Sequence, residues 1–517
     1  MPRSDTTPFA TPTTTEISDL AAELGIPLSE SDCEDYQTLA SAAIEGSDPI
    51  RHAPSFDPGL EPDEYTGRSS SYRPAASEDP LNAWVRKTQI RTQSDGPLAG
   101  QTVGLKDSIA LAGVELTLGS SLMEGFVPTI DATAVNRLLD AGAEIGGKLN
   151  MESFAWSGTG GMSDHGPVTN PHSEAHLAGG SSSGSGAAPV AGDCDVALGT
   201  DQAGSIRIPS SWCGLVGIKP THGLVPYTGV VPLERTIDHL GPMASTVETV
   251  AQTLEVIAGT DTTDGIKLDT RQPDGVEADS YAAAADDDPD ELSIAFLDEG
   301  FGWEFSDPVV DETVRETKAG FEACGVSVDH VSIPRHRQSM AIWGAIATQG
   351  GARLLQEGSV GTNQKGWSWP QLARVMDSFQ EARPRDLPPT VIRSLLAAAF
   401  LKSEYGIEPY AKARNLAMAA EQEYNEVLET YDAIALPTTV VRAFEKAPEM
   451  SRVEALEREV VTIANTCLFN VTGHPAITVP CGKPEGLPVG LMLVGNHFDE
   501  TTLFTLAAAI EDTLDYV

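Results

Sequence analysis

The stretch GGSSSGSGAAPVAGDCDVALGTDQAGSIRIPSSWCG, residues 179–214, decides how this chain is read. Two Ser/Gly-rich knots, around Ser181 and Ser205, flank an apolar run. Alone, GGSSSGSG has the composition of a flexible linker. It runs directly into AAPVAGDCDVALGTD, a helix-then-strand pattern that is too apolar for a linker. Glycine and serine inside a packed body bring backbone close to a ligand.

Three chemical readings compete for the two knots. A phosphate-cradling loop fails, because no lysine follows Gly184 or Gly186 at the required place. Residues Gly180 to Gly184 satisfy G-x-S-x-G, which defines an α/β-hydrolase reading with Ser182 as nucleophile and His239 or His474 as its base. That elbow needs a buried strand immediately before it, and PHSEAHLAG reads as a polar loop. The second knot follows the strand-like DVALGT. There Gln202, Ala203, Gly204 and Ser205 form a tight turn whose successive backbone N–H groups suit an oxyanion hole around a serine. Asp201 and Arg207 flank the turn and are placed to clamp it as an ion pair.

A nucleophilic serine needs a base. His172 and His176 are four residues apart but lack the HExxH order, and the segment is bounded by proline and glycine, so a zinc helix is not expected. Lys106, in VGLKDSI, is the better candidate. It ends a strand with apolar neighbours, where a lysine is costly unless used or paired. The bland alternative for it is a salt bridge with Asp107.

Outward from this centre, α and β patterns alternate. GQTVGLKDSIAL and AEIGGKLN read as strands, with DATAVNRLLDAGA as a helix between them. LVGIKPTHGLV, ELSIAFLDE, AIALPTT, HPAITVPCG and PVGLMLVGN are further apolar strands. TVETVAQTLEVIAG, VVDETVRETKAGFEACG and the closing DETTLFTLAAAIEDTL are helices. Residues 260–291 are polar and acidic, as expected for a surface excursion. The spacing of Ala413, Leu416, Ala420, Tyr424, Val427 and Leu428 is helical. At the N-terminus, EISDLAAELG and a second helix with Cys33, Tyr36, Leu39, Ala40, Ala43 and Ile44 on one face precede a proline-punctuated linker.

The chain has 75 acidic and 33 basic residues, a net charge of -42, and only 11 lysines against 22 arginines. The acids are dispersed rather than gathered in a tail. This pattern is that of a solvated shell suited to molar salt, where screening acts over about 3 Å. It argues against nucleic acid as a direct partner. Six cysteines without CxxC spacing point to reduced thiols rather than a disulfide or zinc framework. The N-terminus lacks an apolar leader and no run of 18 apolar residues occurs, so a cytoplasmic protein without membrane contact is expected.

GGSSSGS, GTDQAGSIRIP and VGLKDSI together resemble the amidase signature family. LNMESFAWSG, GPVTNP, IKPTHGLVP, TIDHLGPMA, ALPT and FNVTGHPAITVPCG are similar to family segments in the same order, covering roughly residues 80–260 and 430–515. The resemblance implies an α/β fold with a central mixed β-sheet covered by helices on both faces. It implies a Ser–cis-Ser–Lys triad of Ser205 as nucleophile, Ser181 as the bridging serine after a cis Gly180–Ser181 bond, and Lys106 as base, with no cofactor and no metal. Ala203 departs from the family's usual glycine pair and puts substrate scope in question. The N-terminal helices and LVPYTGVVPLERTIDHLGP are similar to the bacterial nitrile-hydratase-associated amidases, which implies a homodimer acting on a small-molecule amide. The domain plan expected is a disordered tail at 1–14, helices and linker at 15–75, core at 76–330, a small helical cap at 331–430 and core again at 431–517. In that plan Trp367, Trp369 and Phe379 are candidates to line a substrate tunnel. The alternative within the family is the amide-cleaving component of a glutamyl-tRNA amidotransferase, which releases ammonia from glutamine for a partner protein.

Overall fold

Eleven strands form one continuous sheet, and the order in which they pair explains why distant segments meet at one edge. The computed structural model describes residues 9–54, 56, 58–62, 67–92 and 95–513. The chain divides into two compact units, Met1–Pro58 and Gly59–Val517.

In the first unit, helices Thr14–Glu23 and Glu30–Glu45 each begin with a capping box, Thr13 with Glu16 and Ser29 with Asp32. Each cap satisfies backbone N–H groups that a helix start leaves free. Of the tail expected to be disordered, residues 1–8 lie outside the described residues. Phe9 is tied down: its N–H donates to Asp48 Oδ1 at 2.8 Å, and the Arg51 guanidinium lies over its ring. Ala21 and Cys33 are buried, whereas Leu20, Leu24, Tyr36 and Leu39 are exposed. Two short helices have too little mutual surface to cover both apolar stripes.

In the second unit the strands are β1 (Trp84–Ile90), β2 (Thr102–Lys106), β3 (Glu144–Leu149), β4 (Thr169–Asn170), β5 (Ser173–Leu177), β6 (Val196–Asp201), β7 (Val216–Lys219), β8 (His239–Ala244), β9 (Thr262–Thr263), β10 (Ile266–Lys267), β11 (Ser293–Leu297), β12 (Ser327–Val331), β13 (Ala433–Pro437), β14 (Ala476–Gly482) and β15 (Val489–Val494). The main sheet runs β1-β3-β2-β6-β8-β7-β14-β15-β13-β11-β12. It is mixed: β2 is parallel to β3 and β6, β11 is parallel to β12 and β13, and the other pairs are antiparallel. Central strands β6, β8, β13 and β15 are buried along their whole length. Such strands read as continuous apolar runs, whereas those of a half-exposed sheet alternate. Helices Ser183–Val190 and Arg207–Cys213 pack together on the sheet, and Val247–Ile257, Pro308–Ala323 and Glu500–Thr513 form a second group on it.

Two expectations change here. The segment before Ser182 is not a loop throughout, because β5 pairs with β4 in a separate two-stranded sheet. Within residues 260–291, Leu268, Asp269, Gln272 and Tyr281 are buried. Gln272 Nε2 donates to the Gly223 and Gly259 carbonyls, so part of this acidic stretch is a structural brace. Residues 331–430 are mainly helical, with Ser339–Ile346, Pro370–Ala382, Pro389–Tyr405 and Glu408–Leu428 as the longest helices, and they belong to the second unit. No helix among the described residues is long and apolar enough to cross a membrane.

Candidate active site

Lys106 is the last residue of β2, and Thr200 and Asp201 are the last residues of β6. Parallel pairing of these strands brings both carboxyl ends to one edge of the sheet, the usual place for a site in an α/β sheet. There Lys106 Nζ lies 2.8 Å from Ser181 Oγ, 2.7 Å from Thr200 Oγ1 and 3.2 Å from the Thr200 carbonyl. Burial pushes the ammonium down to about 7, against the opposing charges of Asp201, Glu152 and Asp238. A neutral amine fits these three neighbours: two N–H groups reach the Thr200 oxygens and the lone pair faces the Ser181 hydroxyl. Asp107 does not form the salt bridge weighed for Lys106. It accepts from the Thr117 N–H at 2.9 Å and pairs with Lys148 at 3.5 Å.

The Gly180–Ser181 peptide bond is cis. The segment around it is sewn to residues 157–162. Gly179 N–H donates to the Thr159 carbonyl at 3.2 Å, Gly180 N–H to the Gly158 carbonyl at 2.9 Å, and Glu152 N–H to the Ser181 carbonyl at 3.0 Å. A Cβ at Gly180 would lie 2.9 Å from Glu152 Cγ and 3.1 Å from Gly160 N, so a side chain there would have to displace Glu152 and crowd the Gly160 backbone.

The second knot is organised by Asp201. Its carboxylate accepts from Arg207 Nε and Nη2 at 3.0 Å each and from Asn470 Nδ2 at 2.8 Å. It also accepts from the backbone N–H groups of Gly204 at 2.7 Å and Ile206 at 3.1 Å. Burial pushes this carboxyl up, but Arg207, Asn470 and Lys219 together outweigh burial and bring it to about 2. The oxyanion set expected from sequence therefore narrows. The Gly204 N–H serves Asp201, while those of Gln202, Ala203 and Ser205 have no partner among the described residues. Gly204 has φ +136, outside the ordinary range of L residues, which is how the turn reverses within so few residues. Trp343 Nε1 donates to the Gln202 carbonyl at 2.7 Å, Thr466 to the Ala203 carbonyl, and Gln202 Nε2 to Tyr227 Oη at 2.9 Å.

Ser205 opens onto a cavity of about 240 Å³ whose walls include Trp156, Leu233, Met340, Trp343, Ile463 and Ala203. The aromatic residues expected to line a tunnel lie elsewhere. Trp369 packs on Phe126 and Phe379 on Phe154, inside a separate apolar cluster that Trp367 flanks. Helical spacing alone does not distinguish a lining aromatic from a packed one. Sequence reasoning does not single out Thr200, Trp156, Trp343, Glu152 or Glu459. For Thr200 a signal exists, its place at the carboxyl end of a buried strand.

Ser182 is joined to neither histidine. Its Oγ donates to the Thr200 carbonyl at 3.2 Å. His239 Nδ1 faces the Ile237 carbonyl, and His474 faces Thr472 and Asn425. His172 and His176 are likewise engaged separately, with Cys213 and Lys483 and with Ser173.

The model of the Amidase family matches residues 70–504. The chain belongs to this family. It is similar to an enantioselective amidase of Rhodococcus rhodochrous, 41% identical over 442 residues that cover 84% of each chain. It is also similar to the A-type chain of the glutamyl-tRNA(Gln) amidotransferase of Haloarcula marismortui, 39% identical over 83% of this chain and 99% of that one. Among solved structures, the corresponding amidotransferase chain of Thermotoga maritima superposes with a TM-score of 0.70 at 30% identity, covering 84% of this chain and 89% of the other. The chain has the amidase-signature fold, and its chemistry is amide hydrolysis.

Proposed function

We propose that this amidase hydrolyses a carboxylic amide to the acid and ammonia through an acyl-enzyme on Ser205. Neutral Lys106 takes the Ser181 proton as Ser181 takes that of Ser205, and Ser205 Oγ attacks the amide carbonyl. The free N–H groups of the 202–205 turn hold the developing oxyanion beside the buried Ser205, where fixed dipoles act more strongly than in water. Ser181 then returns a proton to the leaving nitrogen. Water, deprotonated over the same relay, cleaves the ester. The ion pair of Asp201 and Arg207 keeps the turn in shape.

The observation that carries this reading is the contact of Lys106 with Ser181 in a buried setting that brings the ammonium down to about 7, so that the neutral amine is accessible near neutral pH. A base is most effective when its pKa lies near the working pH. The apolar side chains on the cavity at Ser205, Trp156, Leu233, Met340, Trp343 and Ile463, support an aliphatic or aromatic acyl group, with Arg393 and Glu459 on the same wall. A panel of simple amides and glutamine, with Ser205→Ala and Lys106→Ala as controls, tests it. Turnover that survives either substitution undiminished overturns the triad.

The second reading, ammonia supply to a partner protein, draws support from the Haloarcula relative, which this chain matches over 99% of its length. It predicts glutamine as the preferred amide and little turnover until a partner is added. The exposed Leu20, Leu24, Tyr36 and Leu39 support a homodimer through the first unit, measurable by sedimentation. The acidic excess supports highest activity in molar salt.

A further inference from the structure

Ala155, Trp156, Gln202 and Leu233 face both the cavity at Ser205 and a second cavity behind it, of about 20 Å³. Thr200, Gln202, Ser108 and Ser359 are the polar residues of that second cavity. A third, of about 30 Å³, shares Ser359 and Pro232 with the second and continues to Arg235 and Gln364. Those two residues also face a fourth, of about 290 Å³, where the exposed Thr362 and Asn363 mark the surface. The row leads from the surface to Thr200, whose Oγ1 and carbonyl hold Lys106 Nζ.

Size and polarity suit the inner part of the row to water. Each of the two small cavities has room for about one or two waters and for no acyl group. Ser108 Oγ and Gln202 Oε1 are buried and have no hydrogen-bond partner among the described residues. Buried polar atoms are normally paired with protein or with ordered water. A water between these two atoms, with the buried Ser359 beside them, has the roughly two to four polar neighbours that a buried water needs. At the outer end, Gln364 Oε1 is a further buried atom of this kind.

We propose that this row delivers the water that cleaves the acyl-enzyme, so that water reaches the site from behind while the amide enters and the acid leaves through the cavity at Ser205. The inference rests on Ser205 carrying the acyl group. An acyl group seated among Trp156, Leu233, Met340 and Trp343 stands between its own carbonyl carbon and solvent on that side. Water at Thr200 and Gln202 arrives beside Lys106 and the 202–205 turn. Its oxygen bonds to the acyl carbon, and one of its protons passes to Ser181 as Ser181 gives its own to Lys106. The bond to Ser205 Oγ breaks as a proton returns by the same relay to Oγ, leaving the acid and free Ser205. Ser359 and Pro232, which face both small cavities, form the neck of the row.

Plugging the row tests this. Ser359 has φ 56, a left-handed conformation that asparagine adopts readily, so Ser359→Asn adds bulk at the neck without new backbone strain. Val360→Phe fills the third cavity from another position. The substrates are p-nitrophenyl butyrate and p-nitrophenyl benzoate, whose leaving group reports acylation as a burst and deacylation as the steady rate that follows. Both plugs should leave the burst rate within about twofold of wild type and slow the steady rate about tenfold, close to 1.4 kcal/mol on the deacylation barrier. A steady rate unchanged by both plugs means that water enters from the front, and it overturns the proposal. A burst slowed as much as the steady rate means a distorted site, and it overturns the proposal too. Where neither variant folds, or wild type shows no burst, a crystal structure of the wild type decides. Ordered water bridging Ser108 Oγ and Gln202 Oε1 is expected, and a dry cavity overturns the proposal. Turnover surviving undiminished in Ser205→Ala would instead refute the acyl-enzyme on Ser205, so the two failures are told apart.

Discussion

The pair of Asp201 and Arg207 offers a quantitative test of what holds the second knot in place. Both side chains are fully buried, and the carboxylate also gathers Asn470 and the N–H groups of Gly204 and Ile206. Removing one member leaves the other charge in a low-dielectric interior, at about 3–5 kcal/mol. Asp201→Asn and Arg207→Met should each cost that much in urea unfolding. The double variant should cost less than the sum of the two, by about 2 kcal/mol or more, because the uncompensated charge is then gone. Acid adds a second signature. The folded carboxyl sits at about 2 against an ordinary 3.8, a difference of about 2.5 kcal/mol. For a depressed carboxyl this stability is present above the ordinary value and is lost as pH falls through the folded one. The wild type should therefore lose it between about pH 4 and pH 2, whereas Asp201→Asn should lack that component. Tryptophan fluorescence in urea, at the salt concentration that supports activity, reads all four proteins. Additive effects, or single variants within about 1 kcal/mol of wild type, would refute the clamp, since ordinary surface pairs behave that way.

Other consequences follow from the same geometry. In wild type, kcat/KM should rise as pH passes through about 7, because the active form of Lys106 is the neutral amine and lower pH protonates it. A profile flat from pH 5 to 9 would contradict this. Lys106→Arg should be as inactive as Lys106→Ala in the amide panel, since a guanidinium does not give up its proton. Gly204→Ala should lose at least tenfold in kcat, because its φ of +136 is strained for alanine and the new methyl meets Thr466; steady-state kinetics on a folded variant checks it. Trp343→Ala removes both a cavity wall and the hydrogen bond to the Gln202 carbonyl. It should raise KM for small acyl groups and lower kcat, whereas a change in KM alone would mean that the hydrogen bond does not shape the turn.

The sequence carried the strands that are buried on both faces, because ALGTD, AIALP and GLMLV are apolar enough to read in isolation. It missed β1, WVRKTQI, and β12, SVDHV, which lie at the two edges of the sheet and tolerate polar residues. It missed β8, HLGPMA, where glycine and proline signal a turn although the strand is central. Lys106 was legible as a candidate base because an apolar strand ending in lysine demands a reason, whereas its partnership with Ser181 was implied only by the resemblance to the amidase signature family. The role of Gly204 in serving Asp201 was not, because the direction of an N–H depends on backbone angles that no residue type specifies. Glu152 and Glu459 look like ordinary surface acids in a chain with 75 of them. Only burial against the 157–162 loop distinguishes them. Trp156 and Trp343 differ from Trp367 and Trp369 in what they face, which local periodicity does not encode.

Trapping the acyl-enzyme, and finding the residue that carries it, puts the chemistry assigned to Ser205 to its sharpest test. A slowly turned-over amide, quenched in acid during steady state, should leave an adduct of the acyl mass on the peptide containing Ser205. The adduct should be absent in Ser205→Ala and in Lys106→Ala. An adduct on Ser182, or full turnover with no adduct on any serine, would rule that chemistry out.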